Sequence, residues 1–126
     1  MSRETVHGEM NQILGQVPGF FKSMPDDTID GEWSVFKRFE LGETAIPAKY
    51  RELIGVAVAS ALHCWYCSHF HSALAKFHGA SDAEVQEASH IAKFTAGWST
   101  YLNGTLYDHD KFLKELKAIG EHLSKK

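Results

Sequence analysis

Apolar residues recur at helical spacing along most of the chain, and strand-like alternation is absent. Val6, Met10, Ile13, Leu14 and Val17 share one face of a helix predicted over 3–17, and Pro18-Gly19 ends it. Ser23 to Asp27 reads as a turn, because proline fixes φ and aspartate favours caps. Ile29, Trp33 and Phe36, with Phe39 or Glu40 next, mark a second helix up to about Leu41, closed by Gly42. Pro47 suits the first position of a third helix, where its missing N–H costs nothing. That helix runs to about His63 and is nearly uncharged after Glu52, which predicts a place in the core. A fourth begins near Cys64 to Cys67 and runs to His78, with Gly79 as its stop. Ser81-Asp82-Ala83-Glu84 has the form of a capping box, in which hydroxyl and carboxylate each satisfy a free backbone N–H. The helix it opens runs to Phe94 or beyond, with Gly97 and Gly104 as candidate breaks. Phe112, Leu116, Ile119 and Leu123 form the last stripe, capped by Asp108 or Asp110. The pattern predicts an all-α protein of about six helices.

Composition narrows the class. With 126 residues, 44% of them hydrophobic, the chain has the size of one domain spanning 1–126. Roughly two-thirds of the unfolded surface is then buried, so folding requires no disulfide or metal. The net charge of −3 and the absence of a basic run before Lys125-Lys126 argue against nucleic acid as a partner. The N-terminal MSRETVHGEMNQ lacks the apolar core of a signal peptide. The longest low-charge run, Leu53 to Trp65, is too short to span a bilayer. A cytoplasmic protein without membrane attachment is expected. In that compartment a disulfide is more often transient and catalytic than structural. A bridge between Cys64 and Cys67 would also close too small a loop to stabilise the fold much.

The chemistry concentrates in ELIGVAVASALHCWYCSHFH, residues 52–71, which holds both cysteines of the chain. Helical neighbours three and four apart share a face, so Cys64, Cys67 and His71 line one side of the fourth helix. Free N–H groups and the positive dipole end of a helix beginning there favour a thiolate. Lowering a thiol pKa from about 8.5 to about 7 raises the ionised fraction at neutral pH roughly fifteenfold. His71 is the candidate proton partner of Cys67. Glu52 precedes Cys64 by twelve residues, which is ~18 Å along a continuous helix. Either the chain reverses before the cysteines or Glu52 serves a neighbouring subunit. A plain reading also stands: Glu52 is a first-turn carboxylate facing the helix dipole.

Rival readings share these residues. Zinc would take Cys64, Cys67 and His71, with His63, His69 or Glu52 as fourth ligand, yet structural zinc sites usually draw a second ligand pair from a distant segment. None is present, and no metal or cofactor is expected. Two inert buried cysteines are the other alternative. His63, His69, His78 and His90 read as surface or core-edge residues, Tyr66 as a packing residue with a spare hydroxyl. Trp65 and Phe70 are expected to pack against neighbouring helices or an interface.

The spacing Glu-x11-Cys-x2-Cys-x3-His, as Glu52, Cys64, Cys67 and His71, resembles the signature of the alkyl hydroperoxidase D-like proteins of the carboxymuconolactone decarboxylase superfamily. Residues 46–88 look like the family core, and VPGFFKSMP and WSVFKRFELGE upstream are also similar. The resemblance implies an all-helical domain assembled as a homotrimer or homohexamer. It implies an alkyl hydroperoxide reductase, with Cys67 attacking the peroxide and Cys64 closing the disulfide and donating a proton. Glu52 and His71 would form the proton relay. An external thiol/disulfide reductant protein would restore the dithiol. Family members carry a histidine before the second cysteine where this chain has Tyr66, so a relay role falls to His63 or to neither. A disulfide reductase or redox sensor with the same dithiol is the alternative, and a carboxymuconolactone decarboxylase-like lyase stands behind it.

Overall fold

A computed structural model describes residues 1–125. Among them the protein is all-α, and no helix is long and apolar enough to cross a membrane. The chain divides into two compact units, one of Met1–Arg51 and one from Glu52 onward.

The first unit holds α1 (Arg3–Leu14), the short α2 (Gly19–Lys22), α3 (Asp26–Phe36) and a π-helical turn, Lys37–Leu41. Ser2 caps α1 by accepting the Thr5 N–H, and Gly15 ends it in the left-handed region at φ 79°. The predicted helix therefore stops before Val17, and Pro18 begins α2 as its cap instead of merely ending α1. Val6, Met10, Phe21, Ile29 and Trp33 form the core. Phe21 meets Trp33 and Phe36 edge-on, at 5.8 and 5.3 Å between ring centres. The Glu9 carboxylate accepts from Trp33 Nε1 and Lys37 Nζ, both at 2.8 Å. Its pKa lies below the ordinary carboxylate range, first because of the Lys37 bond and then that from Trp33. Gly42 closes the π-helical turn with its N–H on the Lys37 carbonyl at 2.8 Å.

The helix α4 (Ala48–Leu62) follows Pro47 and carries Glu52. The second unit continues with α5 (Trp65–Phe77), α6 (Asp82–Gly104) and α7 (His109–Ser124). Its buried positions are mostly small: Ala59, Ala75, Ala80, Ala88 and Ala92, with Val56. Small side chains let helix backbones approach closely. Ser60 on α4 lies 3.4 Å from Ser89 on α6, oxygen to oxygen, and each hydroxyl also donates to a carbonyl of its own helix. The capping box at α6 is complete, with both Ser81–Glu84 bonds at 3.0 Å. Gly97 does not interrupt this helix, which continues to Gly104. Asp108, rather than Asp110, caps α7.

Candidate active site

Between α4 and α5 the chain reverses. His63 takes a left-handed φ of 57°, and the Cys64 N–H bonds the Ala59 carbonyl at 3.0 Å. Non-glycine residues rarely adopt that region. The reversal ends α4 at Leu62 and leaves Cys64, at φ −94° and ψ 106°, as the N-cap of α5. Cys64 therefore does what serine or aspartate does at other helix starts: its Sγ accepts the Cys67 N–H at 3.2 Å.

Both thiols are free and partly exposed. The Cys64 thiol ionises below its ordinary range, chiefly because it accepts a hydrogen bond from the Cys67 thiol, then from the backbone N–H groups of Cys67 and Tyr66. Cys67 is held above the ordinary range by that same bond, by burial and by negative charge on Cys64. The same bond thus favours ionisation at Cys64 and opposes it at Cys67. The lowered pKa falls on the capping cysteine, one turn before the thiol that the resemblance casts as attacker.

The same reversal brings α5 back along α4. His71 Nδ1 lies 2.7 Å from Glu52 Oε2, and Glu52 is 1% exposed. Glu52 is therefore delivered to His71 within one chain. The plain reading of a first-turn carboxylate facing the dipole does not hold, because Glu52 lies beyond the first turn of α4, buried and bonded to a histidine nineteen positions on. His71 spends this nitrogen on Glu52, and among the described residues no hydrogen bond joins His71 to either thiol.

One glycine makes the close approach. A Cβ built on Gly55 would lie 2.5 Å from His71 Cγ and Nδ1 and 2.7 Å from Cδ2. The imidazole thus lies against the bare backbone of α4, three positions after Glu52. The sequence analysis passed over Gly55. The available signal was a glycine inside an apolar helix, where it costs about 1 kcal/mol relative to alanine and asks for a packing reason.

The flanking residues lie at the edge of the site. Trp65 is 68% exposed, with its ring against Tyr66 and His69. Phe70 is half-buried with its ring edge-on to His71. Tyr66 projects outward and His63 is exposed at the bend. Among the described residues, Cys64, Cys67 and His71 do not gather within ligand distance of one another as the zinc reading requires.

This helical architecture is that of the alkyl hydroperoxidase D-like proteins. It matches the crystal structure of an alkylhydroperoxidase AhpD core from Rhodospirillum rubrum with a TM-score of 0.73, at 24% identity, covering 87% of this chain and 85% of that one. The chain belongs to the carboxymuconolactone decarboxylase family, whose model matches residues 32–107 and so takes in Glu52, Gly55, both cysteines and His71. Comparison with curated proteins gave no match.

Proposed function

We propose that the protein is a thiol-dependent alkyl hydroperoxide reductase in which Cys64 and Cys67 are the redox pair and Glu52 and His71 the proton relay. The observation that carries this reading is the cysteine pair at the start of α5, where Cys64 Sγ accepts the Cys67 N–H, with His71 further along the same helix paired to the buried Glu52 of α4. Catalysis begins when the proton on Cys67 passes to Cys64 along the bond the sulfurs already share. The Cys67 thiolate attacks the peroxide, the O–O bond breaks, and Cys67 becomes a sulfenic acid as the alkoxide leaves. Cys64 protonates the alkoxide to the alcohol. The Cys64 thiolate then attacks the sulfenic sulfur and expels hydroxide, which leaves as water after taking a proton from the relay. The peroxide is reduced by two electrons and the dithiol oxidised by two. An external dithiol protein returns them. The path from His71 to the sulfurs runs through solvent or the substrate oxygen. The reading takes the chain as a single domain, in a homotrimer or homohexamer, working in the cytoplasm. Turnover of a dithiol in a reducing compartment supports that placement.

A specific observation favours a second reading. The more acidic of the two thiols is that of Cys64, the N-cap, an arrangement suited to disulfide exchange without peroxide. One titration separates the two. Reduced protein is mixed with one equivalent of tert-butyl hydroperoxide and its free thiols are counted. The peroxidase reading expects rapid loss of both thiols in the wild type and no disulfide in Cys67→Ser. A wild type that loses thiols no faster than Cys67→Ser overturns it.

A further inference from the structure

The bend that joins α4 to α5 contains no spare residue. Leu62 ends α4, and the left-handed His63 follows it. The His63 N–H bonds the Ser60 carbonyl at 3.2 Å, and the Cys64 N–H bonds the Ala59 carbonyl at 3.0 Å. This pair of bonds is the Schellman closure of a helix, which turns on a residue at positive φ. The ends of α5 and α6 close in the same way, about Gly79 at φ 92° and Leu106 at φ 54°. There the next residue, Ala80 or Tyr107, completes the closure, and a different one, Ser81 or Asp108, caps the helix that follows. At the bend between α4 and α5 a single residue does both.

Cys64 is that residue. Its N–H closes α4, its carbonyl accepts the Ser68 N–H at 3.0 Å to open α5, and its Sγ accepts the Cys67 N–H at 3.2 Å as the cap. The place of the sulfur is therefore set by the backbone of the residue just before it. Rotating His63 out of the left-handed region breaks the bond from Cys64 to Ala59 and swings the start of α5 away from the sulfur. Histidine suits this φ: with asparagine and aspartate it is several-fold enriched there, whereas a β-branched residue is an outlier. The imidazole itself lies exposed at the bend.

We infer that His63 is a positioning residue for the dithiol: its left-handed backbone, and not its imidazole, seats Cys64 Sγ on the Cys67 N–H. Next to the Cys67 thiol, the backbone N–H groups of Cys67 and Tyr66 are what lower the Cys64 pKa, and a displaced bend takes those donors from the sulfur. The proton relay stays with Glu52 and His71, and His63 has no part in it. The inference rests on Cys64 as a reactive thiol, which the peroxidase and disulfide-exchange readings share.

The test is the pH dependence of Cys64 alkylation by iodoacetamide, followed by mass spectrometry. It uses the full chain carrying Cys67→Ser, with His63 intact or replaced as His63→Asn, His63→Gly or His63→Val. Cys67→Ser leaves Cys64 as the sole thiol and keeps the backbone N–H that it accepts. Asparagine and glycine adopt positive φ without an imidazole, and valine resists it. His63→Asn and His63→Gly are expected to keep the parent profile. His63→Val is expected to move it to higher pH and to slow alkylation at pH 7 about fivefold, the factor that one N-cap bond is worth. A shift in His63→Asn and His63→Gly assigns the effect to the ring and overturns the proposal. A His63→Val profile that matches the parent also overturns it. If circular dichroism shows that valine prevents folding, His63→Ala is read in its place: a smaller shift in the same direction is expected, and an unshifted profile refutes the inference. No peroxide enters the assay, so failure here leaves the peroxidase proposal standing, and a dithiol inert to peroxide leaves this inference standing.

Discussion

Replacing Gly55 with alanine tests the geometry on which the relay depends. The added methyl would lie 2.5 Å from two atoms of the His71 ring, where ordinary contact begins at 3.4 Å. The ring must retreat by roughly 1 Å, and overpacking of this kind costs about 1–3 kcal/mol. A retreat that runs along the bond to Glu52 stretches it from 2.7 Å to about 3.6 Å, beyond hydrogen-bond range. Glu52, 1% exposed, then loses its partner, at a cost of about 1–3 kcal/mol. Alanine returns about 1 kcal/mol through its better helix propensity. The net expectation is a destabilisation of about 1–5 kcal/mol and a Tm lower by roughly 4–20 °C. Peroxide-dependent disulfide formation should slow with it. Calorimetry on reduced protein reads the first effect and thiol counting the second. The decisive comparison is a double-mutant cycle. In a His71→Ala background the ring is gone, so Gly55→Ala should become stabilising by about 1 kcal/mol. The reasoning is refuted if Gly55→Ala matches or exceeds the wild-type Tm, or destabilises equally in both backgrounds.

Two further outcomes are expected. Cys64→Ser removes the thiol that holds the Cys67 pKa up, so alkylation of Cys67 by iodoacetamide should gain its thiolate limb at lower pH than in the wild type; an unchanged or higher midpoint contradicts Cys64 as the cause of the raised pKa. Glu9 has a lowered pKa in the folded state, so its bonds to Lys37 and Trp33 contribute stability that is full above the unfolded carboxylate pKa and lost as pH falls through the lower folded value. Glu9→Gln should therefore flatten the acid limb of a Tm-against-pH curve; a curve parallel to the wild type below pH 5 would show that Glu9 takes no part in it.

Local interactions were legible in the residues alone. The Ser81–Glu84 box, the start of α5 at the cysteines, Pro47 ahead of α4 and the helical period are set by neighbours within about one turn, and the model places them where the spacing predicts. Family membership was legible as well, because its signature lies in side-chain identities at fixed intervals. Where prediction slipped, a local rule was read too strictly: a glycine costs a helix only about 1 kcal/mol, so α6 runs on through Gly97, and Pro18 caps the short α2 as well as following α1. The site itself needed the fold. Glu52 and His71 are nineteen positions apart and on different helices, and their meeting depends on a left-handed His63 that no glycine announces. The role of Gly55 exists only once α5 has folded back on α4. Which of two cysteines in one short motif is the more acidic depends on which one becomes the cap. The sequence by itself determined the helices, the family and the reactive groups, because those follow from short-range spacing. Tertiary structure decided which groups touch and which thiol is the more acidic, because those follow from distances that only a folded chain defines.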